Sequence, residues 1–230
     1  MQFSNLYHLL YPQRLPQSHA TRPGSVPLWL AHDAVDFSFS STTSLLQARL
    51  KALPDSAPTS IRGRPASILI PIVELADGDA GLLFTRRSWS LSRHSGEISF
   101  PGGGVESGET YTQAALRETH EEIGVDPDTI HLIGSLGEGR TSSGSAPFQR
   151  VVGILRDPHN AQRSEEVDEV LIVALRSLAR AEVFHFEIWN REDSDDIEIS
   201  FFELERDLLW GATARVVVEL LTLLHRGPCS

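Results

Sequence analysis

The sequence predicts an α+β fold in which helices pack on a mixed sheet. Three observations carry that reading. Short apolar or alternating segments of strand length recur between residues 66 and 204, bounded by Gly, Pro, Asp and Ser. Helical segments at 110–123 and 208–224 are set among and after them without the regular strand–helix alternation of a parallel sheet. The composition is that of a packed chain: 40% of the 230 residues are apolar, and seventeen glycines bring the share to about 47%, inside the ordinary globular range.

Residues 1–60 stand apart, and are read as a loosely ordered extension to a domain over 61–230. They carry Pro12, Pro16, Pro23, Pro27, Pro54 and Pro58, and no acid before Asp33. Only Thr43–Leu53 has helical spacing, through Leu45, Leu46, Leu50 and Leu53. An acid-free start with Arg14 and Arg22 also fits a mitochondrial transit peptide, the alternative to a cytoplasmic protein. From Ser67 the pattern sharpens. Ser67–Leu75 reads as a buried strand, Asp77-Gly78-Asp79 as a hairpin turn and Gly81–Arg87 as the partner strand. Glu97–Phe100 is a short strand leading into Pro101-Gly102-Gly103-Gly104. Thr110–Ile123 is helical, stopped by Gly124 as a C-cap with Pro127 beyond. Ile130–Leu136, Phe148–Leu155, Leu171–Leu175, Val183–Trp189 and Ile197–Leu204 read as strands, and Leu208–Leu224 as a closing apolar helix.

Charge and cysteine content exclude several classes. With 31 acidic and 20 basic residues, a net charge of −11, the chain is a poor match to a phosphate backbone, so no nucleic-acid partner is expected. Cys229 is the single cysteine, which leaves no internal disulfide and no thiolate metal cluster. The longest apolar runs, Ser67–Val73 and Val216–Leu224, fall below half the roughly 20 residues of a membrane span, so no membrane partner is expected either.

The informative segment is Gly103–Val125. At about 100° per residue, Glu118, Glu121 and Glu122 fall within roughly 100° of one another on one helical face. Thr112, Leu116, Thr119 and Ile123 occupy the adjacent side and can pack on a sheet. Arg117 stands four residues before Glu121, within reach to pair with it. Clustered carboxylates beside a glycine-rich turn form a hard-oxygen site suited to magnesium or manganese.

This segment resembles the signature of the Nudix hydrolases: a glycine, five residues, a glutamate, seven residues, then Arg-Glu-U-x-Glu-Glu-x-Gly-U with U aliphatic. Here the positions are Gly103, Glu109, Arg117-Glu118-Thr119, Glu121-Glu122, Gly124 and Val125, with Thr119 in the first U slot. At roughly 7% per residue type, seven fixed matches arise by chance about once in 10⁸ starts. The resemblance implies an α/β/α sandwich and metal-dependent attack by water on the phosphoanhydride of a small-molecule nucleotide substrate. It assigns a metal shell of Glu118, Glu121, Glu122 and the Gly103 carbonyl, with magnesium or manganese as the cofactor and Arg117 orienting the glutamates. Glu109 either contacts the metal through water or supports the loop. A further catalytic glutamate is common ahead of the next strand, and Glu169 fits it best among Glu165, Glu166 and Glu169.

Leu83–Gly103 resembles the motif of the coenzyme A pyrophosphatase group through Leu83, Thr85, Arg87, Ser88, Gly96, Phe100, Pro101, Gly102 and Gly103. Phe84 replaces a leucine, and Ser92 stands where the motif has arginine, with Arg93 following. Ala66–Val73 and Trp210-Gly211-Ala212-Thr213-Ala214 resemble the same group. The resemblance implies hydrolysis of coenzyme A or its thioesters, with Arg87, Arg93, Gly96 and Gly102 as substrate-binding positions. A hydrolase of another nucleoside diphosphate derivative and a non-catalytic nucleotide-sensing module are the alternatives, and a homodimer is left open. His94, His120 and His185 are read as ordinary surface or core histidines, and Trp189 and Phe202 as core.

Overall fold

The computed structural model describes residues 27, 29, 35–58, 64–91, 94–139, 147–191 and 194–225. The chain divides into two compact units, one over Val35–Arg176 and one joining Ser177–Ser230 to the N-terminal residues up to Ala34.

The first unit opens with helix α1 (Phe39–Arg49), then strands β1 (Ala66–Glu74), β2 (Ala80–Arg87), β3 (Ile98–Ser99) and β4 (Gly102–Gly104). Helix α2 (Tyr111–Ile123) and strands β5 (Ile130–Gly139), β6 (Phe148–Leu155) and β7 (Val167–Ala174) follow. The seven strands make one mixed sheet in the order β3-β2-β1-β6-β5, with β4 also on β1 and β7 also on β2. Only β1 and β6 run parallel, Ala66–Ile72 against Phe148–Ile154; the other pairs are antiparallel. This is the expected α+β class with a mixed sheet. β1 is covered on both faces. Leu69 and Val73 pack with Leu83, Val151, Ala115 and Ile123, and the alternating Ile70 and Ile72 on the opposite face are also fully buried.

The site originates in a split between β1 and β2. The two strands pair only near their hairpin, Ile72–Glu74 with Ala80–Leu82. Farther along they part, and the segment 98–104 takes both vacated edges: β3 pairs with Thr85 and Arg86, and β4 with Ala66–Ile68. The Leu69 N–H donates to the Pro101 carbonyl at 2.9 Å, which stitches the turn between β3 and β4 to the middle of β1.

Helix α1 begins four residues before the expected Thr43 and ends at Arg49 rather than Leu53. Leu50 turns extended because Lys51 exchanges two 2.9 Å backbone hydrogen bonds with Ser135 of β5. Leu46 is fully buried and α1 packs on β1, β2 and β5, within the compact unit Val35–Arg176. Most of the remaining residues of 1–60 lie outside the described ones.

Helix α2 starts where its cap dictates. The Thr110 hydroxyl accepts from the Gln113 N–H while the Gln113 side chain accepts from the Thr110 N–H. It ends at Gly124 in the left-handed conformation, φ 67°, as expected. The buried stripe runs through Ala114, Ala115, Thr119, Glu122 and Ile123, whereas Thr112 and Leu116 are half-buried. β7 begins at Val167, four residues before the expected Leu171, and runs into the single-turn helix α3 (Leu175–Leu178).

In the second unit, β8 (Phe184–Arg191), β9 (Ser194–Glu203) and β10 (Leu208–Trp210) form an antiparallel sheet in the order β10-β9-β8. Trp29 packs on Phe184 and Phe202 at centroid separations of 5.0 and 6.2 Å. Helix α4 (Gly211–His225) follows directly. The single helix expected over Leu208–Leu224 is therefore a strand and a helix. Leu208–Trp210 pairs with Phe201–Glu203, and the helix starts at Gly211, φ +64°, where the chain turns. No helix among the described residues is long and apolar enough to cross a membrane.

Candidate active site

Arg117 organises the acidic helix. Its Nε and Nη2 donate to the Glu109 carboxylate at 2.9 and 3.2 Å, and Nη2 also donates to the Gly104 carbonyl at 2.9 Å. Nη1 donates to Glu118 and Glu121, each at 3.0 Å. These bonds, Glu109's first, outweigh burial and hold the guanidinium protonated far above its ordinary range. Burial works to raise Glu109, but the Arg117 bonds and the Glu106 N–H overcome it, so the carboxyl lies below its usual value. Glu109 thus clasps the turn ahead of the helix to Arg117.

The turn from Phe100 to Gly104 lies against the same helix. Gly102 has φ +150°, and a Cβ there would stand 2.4 Å from the Ser67 carbonyl oxygen and 2.6 Å from the Ile68 Cα. Both are backbone, so only glycine fits. A Cβ on Gly103 would lie 2.4 Å from the Glu118 carboxyl carbon, so the absent side chain is what lets that carboxylate rest on the turn. The Gly102 N–H donates to Glu122 Oε2 at 3.2 Å, and Arg87 Nη1 lies 3.7 Å from Glu122 Oε1.

Glu122 is the exceptional carboxylate, only 5% exposed. Burial pushes its pKa up from the ordinary 4.5 to about 7. The Gly102 N–H and Arg87 oppose that rise, whereas Glu118 and Glu166 add to it. The three glutamates therefore share one helix face as expected but have unequal surroundings. Glu121 is 56% exposed at the rim, Glu118 19% exposed on the turn, and Glu122 sealed beneath.

Arg87 joins this group from β2, reaching Glu166 at 4.0 Å as well as Glu122. Glu169 does not join it. It pairs with Arg86 at 3.0 Å across β2 and β7, and Arg86 and Arg87 are consecutive strand residues separated by a register shift. Glu166, just ahead of β7, is the acid in this stretch that stands near Glu122. The signal in the sequence was the pair Glu165-Glu166 immediately before the alternating Val167-Asp168-Glu169-Val170. Gly96 is tied to the site through its N–H, which donates to the Arg87 carbonyl at 3.0 Å. Ser92 and Arg93 lie outside the described residues. Of the histidines, His94 bonds Glu97 at 2.8 Å, His120 bonds the Val125 carbonyl at 3.0 Å, and His185 stacks on Phe201 in the second unit. Phe202 is fully buried and Trp189 half-buried.

The donor set is all oxygen: the Gly103 carbonyl and the carboxylates of Glu118, Glu121 and Glu122, the chemistry magnesium and manganese select. Among the described residues no three His, Cys, Asp or Glu side chains stand close enough to hold a cation as they are, while Arg117 occupies Glu118 and Glu121. Glu122 supplies the fit. A buried carboxylate raised to about 7, with only one guanidinium at 3.7 Å, is the environment a second positive charge would stabilise.

Comparison with known proteins adds a family. The family model for the NUDIX domain matches residues 64–204. A Citrobacter koseri protein named "Uncharacterized Nudix hydrolase NudL" is 36% identical over 174 residues, 74% of this chain and 87% of its own length. A protein of the same name from an Enterobacter species is 32% identical over 202 residues, 86% of this chain and 98% of its own. Among solved structures, a MutT/nudix family protein from Enterococcus faecalis is similar over 84% of this chain and 70% of its own, at 17% identity and a TM-score of 0.49.

Proposed function

This chain belongs to the Nudix hydrolases, a pyrophosphohydrolase family, and from that premise we propose that it hydrolyses coenzyme A or its thioesters. The products are 3′,5′-ADP and (acyl)phosphopantetheine, and magnesium or manganese is required. The observation that carries this reading is the join between two motifs. The Leu83–Gly103 segment, similar to that of coenzyme A pyrophosphatases, touches the acidic helix through Arg87 and Gly102 on Glu122 and through Gly103 on Glu118.

In this mechanism Glu118, Glu121, Glu122 and the Gly103 carbonyl would hold the cation, which would supply charge to offset the pyrophosphate and lower the pKa of the attacking water. Arg117 fixes the rotamers of Glu118 and Glu121 from the side, so the carboxylates are ordered before substrate arrives. Arg87, 3.7 Å from Glu122 and partly exposed, can donate to a phosphoryl oxygen. The further glutamate role expected of Glu169 goes to Glu166, which borders Arg87 and Glu122.

Coenzyme A differs from ADP-ribose and dinucleotide cofactors by its 3′-phosphate, which needs its own cation. Lys51 is the only lysine in the chain, so an arginine supplies it, and Arg93 in the motif loop is our assignment. The test is a panel of coenzyme A, its 3′-dephospho form, ADP-ribose and NADH, with products identified by mass. Coenzyme A is hydrolysed fastest, and Arg93→Ala erodes its preference over the dephospho form by roughly 10- to 100-fold. Ser92 in the motif's arginine position favours the second reading, another nucleoside diphosphate derivative. ADP-ribose cleaved as fast as coenzyme A decides for that reading and leaves the hydrolase chemistry intact.

A further inference from the structure

We propose that the exposed indole of Trp89 is the platform on which the nucleobase of the substrate stacks, a role that rests on the reading of this chain as a nucleoside diphosphate hydrolase. Trp89 is 56% exposed, the most open large apolar side chain among the described residues. A lone exposed aromatic is ordinary. This one is held in place. Its backbone N–H donates to Asp168 Oδ2 at 2.9 Å, anchoring the start of the loop to β7. Its six-membered ring lies directly on Gly96, where a Cβ would come within 2.2 Å of the indole. Gly96 in turn donates its N–H to the Arg87 carbonyl, and the preceding Ser88 N–H donates to the Glu166 carbonyl.

The indole thus rests on Gly96, and the loop that carries both is bonded to the backbone carbonyls of Arg87 and Glu166, the two residues that border the buried Glu122. Trp89 follows Arg87 by two positions, in the turn that opens where β2 ends, so the two residues are close neighbours along the chain. One ribose separates a nucleotide's phosphate from its base, so a phosphate at Arg87 brings the base within reach of the ring. A ring braced before binding has little freedom left to lose when it stacks, so contact area converts to affinity at low entropic cost. Because every base has a π-face, this platform tolerates purine exchange and leaves base identity to other contacts.

The experiment uses the full chain with magnesium and two non-hydrolysable ligands: α,β-methylene-ADP, and methylenediphosphonate, which lacks base and ribose. Affinities are read by calorimetry and by tryptophan fluorescence. The base-bearing ligand quenches wild-type emission, and Trp89→Ala weakens it by about 5- to 150-fold. The same variant leaves methylenediphosphonate within about twofold, and Trp89→Phe recovers most of the lost affinity, as a stacking role requires. Equal weakening of both ligands overturns the proposal in favour of a role in loop structure, and an unchanged affinity for the nucleotide overturns it outright. If 4′-phosphopantetheine depends on Trp89 and the nucleotide does not, the ring serves the other half of the substrate and the proposal fails. Each of these outcomes leaves magnesium-dependent hydrolysis standing. A wild-type chain that binds no nucleotide and hydrolyses none in the substrate panel removes both this proposal and the functional reading beneath it.

Discussion

Replacing Glu122 by glutamine is expected to stabilise the metal-free protein while sharply lowering its activity. The carboxyl is buried and its pKa stands at about 7 rather than 4.5. At about 1.4 kcal/mol per pH unit, that separation is worth about 3 kcal/mol. Between pH 4.5 and 7 the native state keeps a proton that the unfolded chain has released, so wild-type stability falls as pH rises through this window and levels off above it. Glutamine does not titrate and still accepts the Gly102 N–H. In EDTA the two proteins therefore melt together at pH 4 and separate at pH 8, glutamine higher by about 3 kcal/mol, or ~6–12 °C for a chain of this size. Magnesium at pH 8 raises the wild-type melting temperature far more than that of the variant, because the ligand binds only where the carboxylate is present. Turnover of the variant falls by ~10²-fold or more. Scanning calorimetry in EDTA at both pH values is the assay. Equal melting temperatures at pH 8, or the same gap at both pH values, refute the claim that the native state is strained by ionised Glu122.

Further outcomes follow from the same contacts. Arg117→Met leaves Glu109, Glu118 and Glu121 without their shared partner; about 2 kcal/mol of stability and ~10-fold or more of kcat are lost, by thermal melt and steady-state kinetics. Glu166→Gln lowers kcat by ~10-fold or more while Glu169→Gln, which neutralises the exposed partner of the Arg86 pair, changes it less than about threefold; the reverse order restores Glu169 to the site. Leu46→Ala costs about 3 kcal/mol in denaturant titrations, since the side chain is fully buried under α1; a loss below about 1 kcal/mol contradicts the placement of α1 in the core.

Local signals were legible in the sequence and non-local ones were not. Helix α2, its Gly124 stop and strand β6 at Phe148–Leu155 follow from periodicity and capping, which a single chain segment carries by itself. Of the side of α2 expected to pack on the sheet, Thr119 and Ile123 are fully buried, whereas Thr112 and Leu116 are only half-buried. The sheet instead takes Ala114 and Ala115, whose small side chains permit close approach, and Glu122 lies on that side. The apolar run Leu208–Trp210 has no period that separates strand from helix until its partner Phe201–Glu203 is known. Glu169 was favoured over Glu166 for a related reason. The start of β7 at Val167 is fixed by pairing with Arg87, distant in sequence, and that register sends Glu169 to Arg86. The seven box residues were identified, but not that one would be sealed and another left 56% exposed.

The unequal burial of the glutamates follows from the split sheet. Because β1 and β2 diverge beyond Ile72 and Leu82, a backbone segment with almost no side chains can enter between them and reach α2. Gly102 presents an N–H to Glu122, and Gly103 leaves room for the carboxylate of Glu118, which a larger residue would displace. The same closeness of the turn to α2 strips water from Glu122 and raises its pKa. Arg87 offsets this only in part at 3.7 Å, and Arg117 is committed to the other three carboxylates. One buried acid is left short of positive charge at the bottom of the site. The stabilisation it lacks is the stabilisation a divalent cation would provide, so the proposed metal affinity and the expected fall in metal-free stability between pH 4.5 and 7 have one origin in Glu122.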